Sequence, residues 1–142
     1  MKKALGIDLG AARVGLALSD DLGMMAHPLE TVNVKTVGDL VAYVAGVVQR
    51  EKVGVVVLGL PRNMDGSHGP AATKTREFGE KLRRKIGGCE LVYWDERMTS
   101  VAAQRALHET GRNIKKSRPV IDQVAAQMIL QGYMDSVALR GE

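Results

Sequence analysis

The sequence lacks most of what would staple, anchor or stack it. Its single cysteine, Cys89, excludes an internal disulfide and fits a reducing cytoplasm. Aromatic residues make up only 4% of the chain, so a core must be built from Val, Leu, Ala and Met. The same scarcity means that base stacking cannot be a main source of grip on a nucleic acid. No apolar run is long enough for a membrane helix. Nor does Met1-Lys2-Lys3 lead into a secretory signal, because Asp8 and Arg13 interrupt any apolar region. There is no internal repeat, linker or low-complexity stretch, so one domain spanning residues 1–142 is expected. The three histidines, His27, His68 and His108, show no ligand spacing.

What remains is an ordinary globular composition, 45% hydrophobic and 25% charged, with a net charge of +4. The basic balance leans toward a polyanionic partner. Lys74, Arg76, Lys81, Arg83, Arg84 and Lys85 crowd one predicted helix, which reads as a solvated face. Arg112, Lys115, Lys116 and Arg118 crowd one predicted loop close to several acidic residues.

The chain is organised around Leu5-Gly6-Ile7-Asp8-Leu9-Gly10, which continues through Val14, Leu16 and Leu18 as a hairpin. By the pleat, Leu5, Ile7 and Leu9 share one face while Asp8 shares the other with two glycines that leave its face open. A mid-strand carboxylate breaks the local pattern, and such breaks tend to fall at functional sites. An edge-strand Asp reaching solvent would look the same. His27–Val32 reads as a third strand, at the sheet edge because of Pro28. A helix capped at Thr36 with Asp39 three residues on runs to about Glu51. Val53–Leu58, apolar without alternation, reads as a strand buried on both faces, followed by a loop from Gly59 to Ser67. Pro70 opens a second helix that Gly87-Gly88 stops, and Leu91–Trp94 is a fifth strand. A short helix over 99–108, a basic loop through Ser117 and a last helix opened by Pro119 complete the order. The expected fold is therefore α/β, with strands one to three antiparallel, strands one, four and five parallel, and helices flanking the sheet.

Three segments of unlike type each offer a carboxylate: Asp8 in the first strand, Asp95 and Glu96 at the end of the fifth, and Asp122 in the expected first turn of the last helix. Ligands in open α/β sheets gather beyond the carboxyl ends of parallel strands. Each acid also has a plain explanation, and a first-turn acid such as Asp122 is common. Converged carboxylates repel one another, and a divalent cation removes the conflict. Oxygen ligands without Cys or His point to Mg²⁺ or Mn²⁺. Such ions can activate water and stabilise the leaving oxygen in attack on a phosphodiester.

The spacing of Gly6-Ile7-Asp8-Leu9-Gly10, Gly59-Leu60-Pro61-Arg62-Asn63-Met64-Asp65-Gly66, Asp95-Glu96-Arg97-Met98-Thr99-Ser100 and Asp122 resembles the YqgF (RuvX) family over essentially the whole chain. That resemblance implies an RNase H-like fold and a metal-dependent nuclease that matures the 5′ end of pre-16S rRNA. The family is also similar to the Holliday-junction resolvase RuvC. It implies Asp8, Glu96 and Asp122 as metal ligands, with Asp95 as neighbour or substitute of Glu96. One departure from RuvC is that the fourth strand ends in Gly59-Leu60-Pro61 with no acid. The second carboxylate must then come from the fifth strand.

Around these acids, Arg13 could touch a phosphate or be a surface residue. Arg62 and Asn63 could position a nucleic-acid strand, and Arg97 either grips substrate or pairs with Asp95. Lys115, Lys116 and Arg118 should bind phosphates without sequence choice. The leading expectation is an endonuclease on structured RNA, with branched DNA as the variant substrate. A small ATPase and a non-catalytic nucleic-acid-binding scaffold are the alternatives from other classes. Exposed apolar faces could also make a homodimer.

Overall fold

The computed structural model describes residues 2–62, 65–96 and 114–141, with the side chains of 114–123 outside the description. Five strands form one sheet: β1 (Ala4–Leu9), β2 (Arg13–Ser19), β3 (Ala26–Asn33), β4 (Val55–Leu60) and β5 (Glu90–Asp95). Their order is β3-β2-β1-β4-β5, antiparallel across β1, β2 and β3 and parallel across β1, β4 and β5. Among the described residues the helices are α1 (Val34–Val37), α2 (Leu40–Arg50), α3 (Pro70–Lys85) and α4 (Ile114–Leu139); the short helix expected over 99–108 lies outside them.

Local chemistry explains most boundaries. The β1–β2 turn closes with the Gly10 N–H donating to the Arg13 carbonyl at 3.0 Å. β3 is an edge strand as Pro28 requires, and the register shifts between Leu16 and Ala17 where Pro28 pairs. A proline at an irregular edge removes no ladder bond that the sheet needs. Pro70 opens α3 at its first position.

Four expectations are corrected. Thr36 does not cap the first long helix. Asn33 caps the short α1, and Gly38, at φ 73°, breaks the chain. Asp39 then caps α2 by accepting from the Ala42 N–H at 3.1 Å. β4 starts and ends two residues later than its apolar run suggests, so Gly59 and Leu60 belong to the strand. α4 begins at Ile114, so Lys115, Lys116 and Arg118 lie on its first turns instead of in a loop. Pro119 falls inside the helix, where it forfeits one intrahelical bond without ending it. Asp122 is consequently more than two turns into the helix, beyond the reach of the N-terminal dipole that its expected position invoked.

The sheet packs differently on its two sides. Toward α2 and α3 it presents Leu5, Ile7, Val14, Leu16, Val56, Leu58 and Leu91 against Val44, Val47, Phe78 and Leu82. Toward α4 it presents Ala4, Ala17, Ala26, Val55 and Val57 against Ala125, Ala126, Ile129, Leu130 and Met134. Small sheet residues let α4 lie close, and Gly6 is required for it. A Cβ there would stand 2.7 Å from the Leu130 Cβ and 2.9 Å from the Ala126 carbonyl oxygen. The glycine before Asp8 therefore does not leave its face open; α4 fills that space. Two glutamines fasten α4 to the sheet edge. Gln131 accepts from the Ala26 N–H at 2.8 Å, and Gln127 donates to the Ala26 carbonyl at 2.9 Å.

Candidate active site

Asp8 lies near the carboxyl end of the central strand, on the α4 side, and is 3% exposed. It pairs with Gly15 on β2. On its other flank the last paired residues of β1 and β4 are Ile7 and Leu58, so the next step of β4, Gly59, stands beside Asp8. The carboxylate is thus bordered in the sheet by glycine on both sides. Burying an ionised carboxylate is costly unless something compensates it. Glycines in strand interiors often mark a place where another group approaches closely.

One such group is Glu96, the residue after β5. A Cβ built at Gly59 would stand 3.1 Å from Glu96 Oε1 and would collide with the Ile129 side chain. Glu96 therefore reaches back over β4, toward the strand edge that Asp8 occupies. Only the missing side chain of Gly59 leaves room for it.

Asp95 points the other way. It pairs in register with Leu60, and with Tyr93 and Leu58 it follows the pleat of the α2–α3 side. Its Oδ2 accepts from Arg62 Nη1 at 3.2 Å. Arg62 Nη2 donates to the Gly66 carbonyl, while Arg62 Nε is buried without a partner among the described residues. Asp95 is thus held by Arg62; Arg97, the partner named from sequence, lies outside the described residues, as does Asn63. On the same side, the Tyr93 hydroxyl fits against Gly79 and donates to Glu80 at 2.8 Å, with Arg76 5.0 Å from the ring. Burial first, and the Glu80 carboxylate second, push the Tyr93 phenol above its usual range.

Asp122 sits one turn before Ala126 and two before Leu130, the two residues that α4 lays on Gly6. Arg13 starts β2 and is half-buried.

A family profile described as "RuvX: Holliday junction resolvase" matches residues 2–136. The chain belongs to the RuvX family. Two relatives carry the name "Putative pre-16S rRNA nuclease". That of Halalkalibacterium halodurans is 42% identical over 140 residues, covering 97% of this chain and 99% of its own. That of Ruegeria pomeroyi is 48% identical over 131 residues, covering 92% and 84%. Among solved structures, T. thermophilus RuvC in complex with a Holliday junction substrate has a TM-score of 0.61 at 16% identity, covering 96% of both chains. The fowlpox virus Holliday junction resolvase has a TM-score of 0.55 at 14% identity, covering 95% of this chain and 99% of its own. The fold is the RNase H-like one.

A buried Asp8 and Glu96 leaning over Gly59 are oxygen donors of the kind that suit a hard divalent cation; Asp122, the third acid expected, lies on α4. Among the described residues no three His, Cys, Asp or Glu side chains form a metal-holding group. The side chain of Asp122, the third ligand expected from the resemblance, lies outside the description. Sequence reasoning missed Gly15 and Gly59 as the flanks of Asp8. Gly15 lay inside the second strand's pattern, but Gly59 fell just past the apolar run expected as the fourth strand, and only the strand register brings the two beside Asp8.

Proposed function

We propose that residues 1–142 form one divalent-metal-dependent nuclease domain that processes the 5′ end of pre-16S rRNA in the cytoplasm during ribosome biogenesis. The observation that carries this reading is the buried Asp8 flanked by glycines, with the Glu96 carboxylate leaning over Gly59 toward it. The names of the relatives supply the RNA. The basic balance of the chain, +4 overall, agrees with a polyanionic substrate.

Asp8, Glu96 and Asp122 would hold Mg²⁺ or Mn²⁺. A divalent ion bound there supplies the activation of a water and the neutralisation of charge on the leaving oxygen. The chain's own contribution is rigidity and placement. Asp8 is fixed by the sheet on both flanks, and the Glu96 carboxylate lies over Gly59. Lys115, Lys116 and Arg118, on the first turns of α4, would contact phosphates and confer affinity without sequence choice. Arg13, Asn63 and Arg97 would border the substrate path.

A second substrate, branched DNA, is favoured by the description of the family itself. The deciding experiment incubates the protein with Mg²⁺ or Mn²⁺ and either an RNA carrying the 16S 5′ leader or a four-way DNA junction. Cleavage of the leader RNA that Asp8→Asn abolishes is the expected result. Selective cutting of the junction would move the assignment to DNA. A folded Asp8→Asn protein that cuts at the wild-type rate would overturn the nuclease site altogether.

A further inference from the structure

Arg62 and Asp95 stand 33 positions apart, on the side of the sheet away from Asp8, yet they meet in an ion pair at 3.2 Å. The other end of the guanidinium holds the carbonyl of Gly66, in the loop that follows β4. Both terminal nitrogens of Arg62 therefore have protein acceptors, one at the end of β5 and one in the loop after β4. Asp95 and Glu96 are consecutive, and consecutive residues at a strand end project to opposite faces. Anchoring the Asp95 side chain thus fixes the peptide from which Glu96 departs.

We propose that Arg62 is a positioning residue that, through Asp95, holds Glu96 over Gly59 beside Asp8. What Glu96 would then bind rests on the metal-dependent nuclease reading above. A planar guanidinium suits this task, because it bonds two acceptors in a fixed fork where an ammonium offers a single point.

Charge alone predicts the opposite of positioning, which makes the inference testable. As a nearby cation, Arg62 repels a metal ion, so deleting it should strengthen binding. As the clamp on Glu96, its deletion should weaken binding. The test titrates Mn²⁺ calorimetrically into the wild-type chain, Arg62→Ala, Arg62→Lys, Asp95→Asn and the Arg62→Ala/Asp95→Asn double variant. Circular dichroism checks each fold. The expected result is a loss of Mn²⁺ affinity of about 10- to 100-fold in both single variants, the range typical of groups that orient a ligand. The double variant should be no worse than the poorer single one, because both remove the same clamp. Arg62→Lys should recover part of the loss. Were Arg62→Ala not to fold, Arg62→Gln carries the same comparison.

Unchanged or tighter Mn²⁺ binding in Arg62→Ala would overturn the proposal. So would a loss confined to Asp95→Asn, which would make Asp95 a ligand in its own right. A wild-type chain that binds no Mn²⁺ would refute the nuclease reading instead. The clamp is then judged by acrylamide quenching of Trp94, the chain's single tryptophan and the neighbour of Asp95. Increased quenching in Arg62→Ala and in Asp95→Asn alike supports it, and unchanged quenching overturns it.

Discussion

The two faces of β1 differ in kind. Leu5 and Ile7 project into a core of branched aliphatic side chains from β2, β4, α2 and α3. One residue along, Gly6 and Asp8 project toward α4, where the sheet offers mostly alanine, glycine and valine. The first face is filled by sheet side chains. The second is filled by bringing a helix close, and at Asp8 the strand is flanked by Gly15 and Gly59, where the Glu96 carboxylate lies beside the Ile129 side chain. On the proposed reading, stability and chemistry fall on opposite sides of one strand, separated by a single residue step. Substitution of Asp8 should lower rate without melting the protein, and truncation in the aliphatic core should do the reverse.

The largest effect is expected at Asp8. Asp8→Asn keeps size and shape but removes a charged oxygen donor from a buried position. Cleavage with Mg²⁺ or Mn²⁺ should fall by more than about 100-fold, beyond what loss of a merely orienting group costs. Thermal melting followed by circular dichroism should show a cooperative transition like that of the wild type.

Leu5→Ala, three residues upstream on the other face, should give the converse result. Leu5 is fully buried in the aliphatic core. Its truncation should cost about 2–5 kcal/mol of unfolding free energy, transfer and cavity contributions together. Denaturant titration measures that loss, and the rate per folded molecule should match the wild type. A fall in rate beyond the unfolded fraction would show that the two sides are not separable.

Gly6→Ala probes the close approach itself. The added Cβ meets backbone and Cβ of α4, which no side-chain rotation relieves. About 1–3 kcal/mol of destabilisation is expected from such overpacking. Because the same shift would lift α4 from the sheet, activity should fall together with stability. Loss of both from one methyl group would mark Gly6 as the point where the two sides meet.

How much of this was readable from sequence follows the same division. The aliphatic face was readable: alternation in β1 and β2 and the apolar run of β4 are local signals. Asp8 was readable as an exception to that alternation. What escaped needed information that no local pattern holds. The start of α4 was misplaced because Pro119 reads as an opener, though the helix runs through it. The glycine flanks of Asp8 depend on strand register. The choice between Asp95 and Glu96 depends on the phase of the pleat at a strand end, and the Arg62–Asp95 pair joins residues far apart in the chain.

The smallest effect is expected at the rim of the aliphatic side, where the Tyr43 hydroxyl of α2 donates to Glu30 on the edge strand β3. The Glu30 carboxylate, and after it burial, raise the phenol above its ordinary value of 10.0. The folded protein therefore binds the phenolic proton more tightly than the unfolded chain. That contribution to stability is complete below pH 10.0 and is lost as pH climbs from there through the raised folded value. Tyr43→Phe should cost about 1 kcal/mol or less at neutral pH, the net worth of one partly exposed hydrogen bond. The variant's melting temperature should also decline less steeply than that of the wild type above pH 10.0, since it has no such proton to lose. Because Tyr43 and Asp8 lie on opposite sides of the sheet, nuclease rates of the variant at neutral pH should be unchanged. A rate that tracked this bond would mean that the edge strand, fastened to α4 through Gln127 and Gln131, transmits strain from one side to the other.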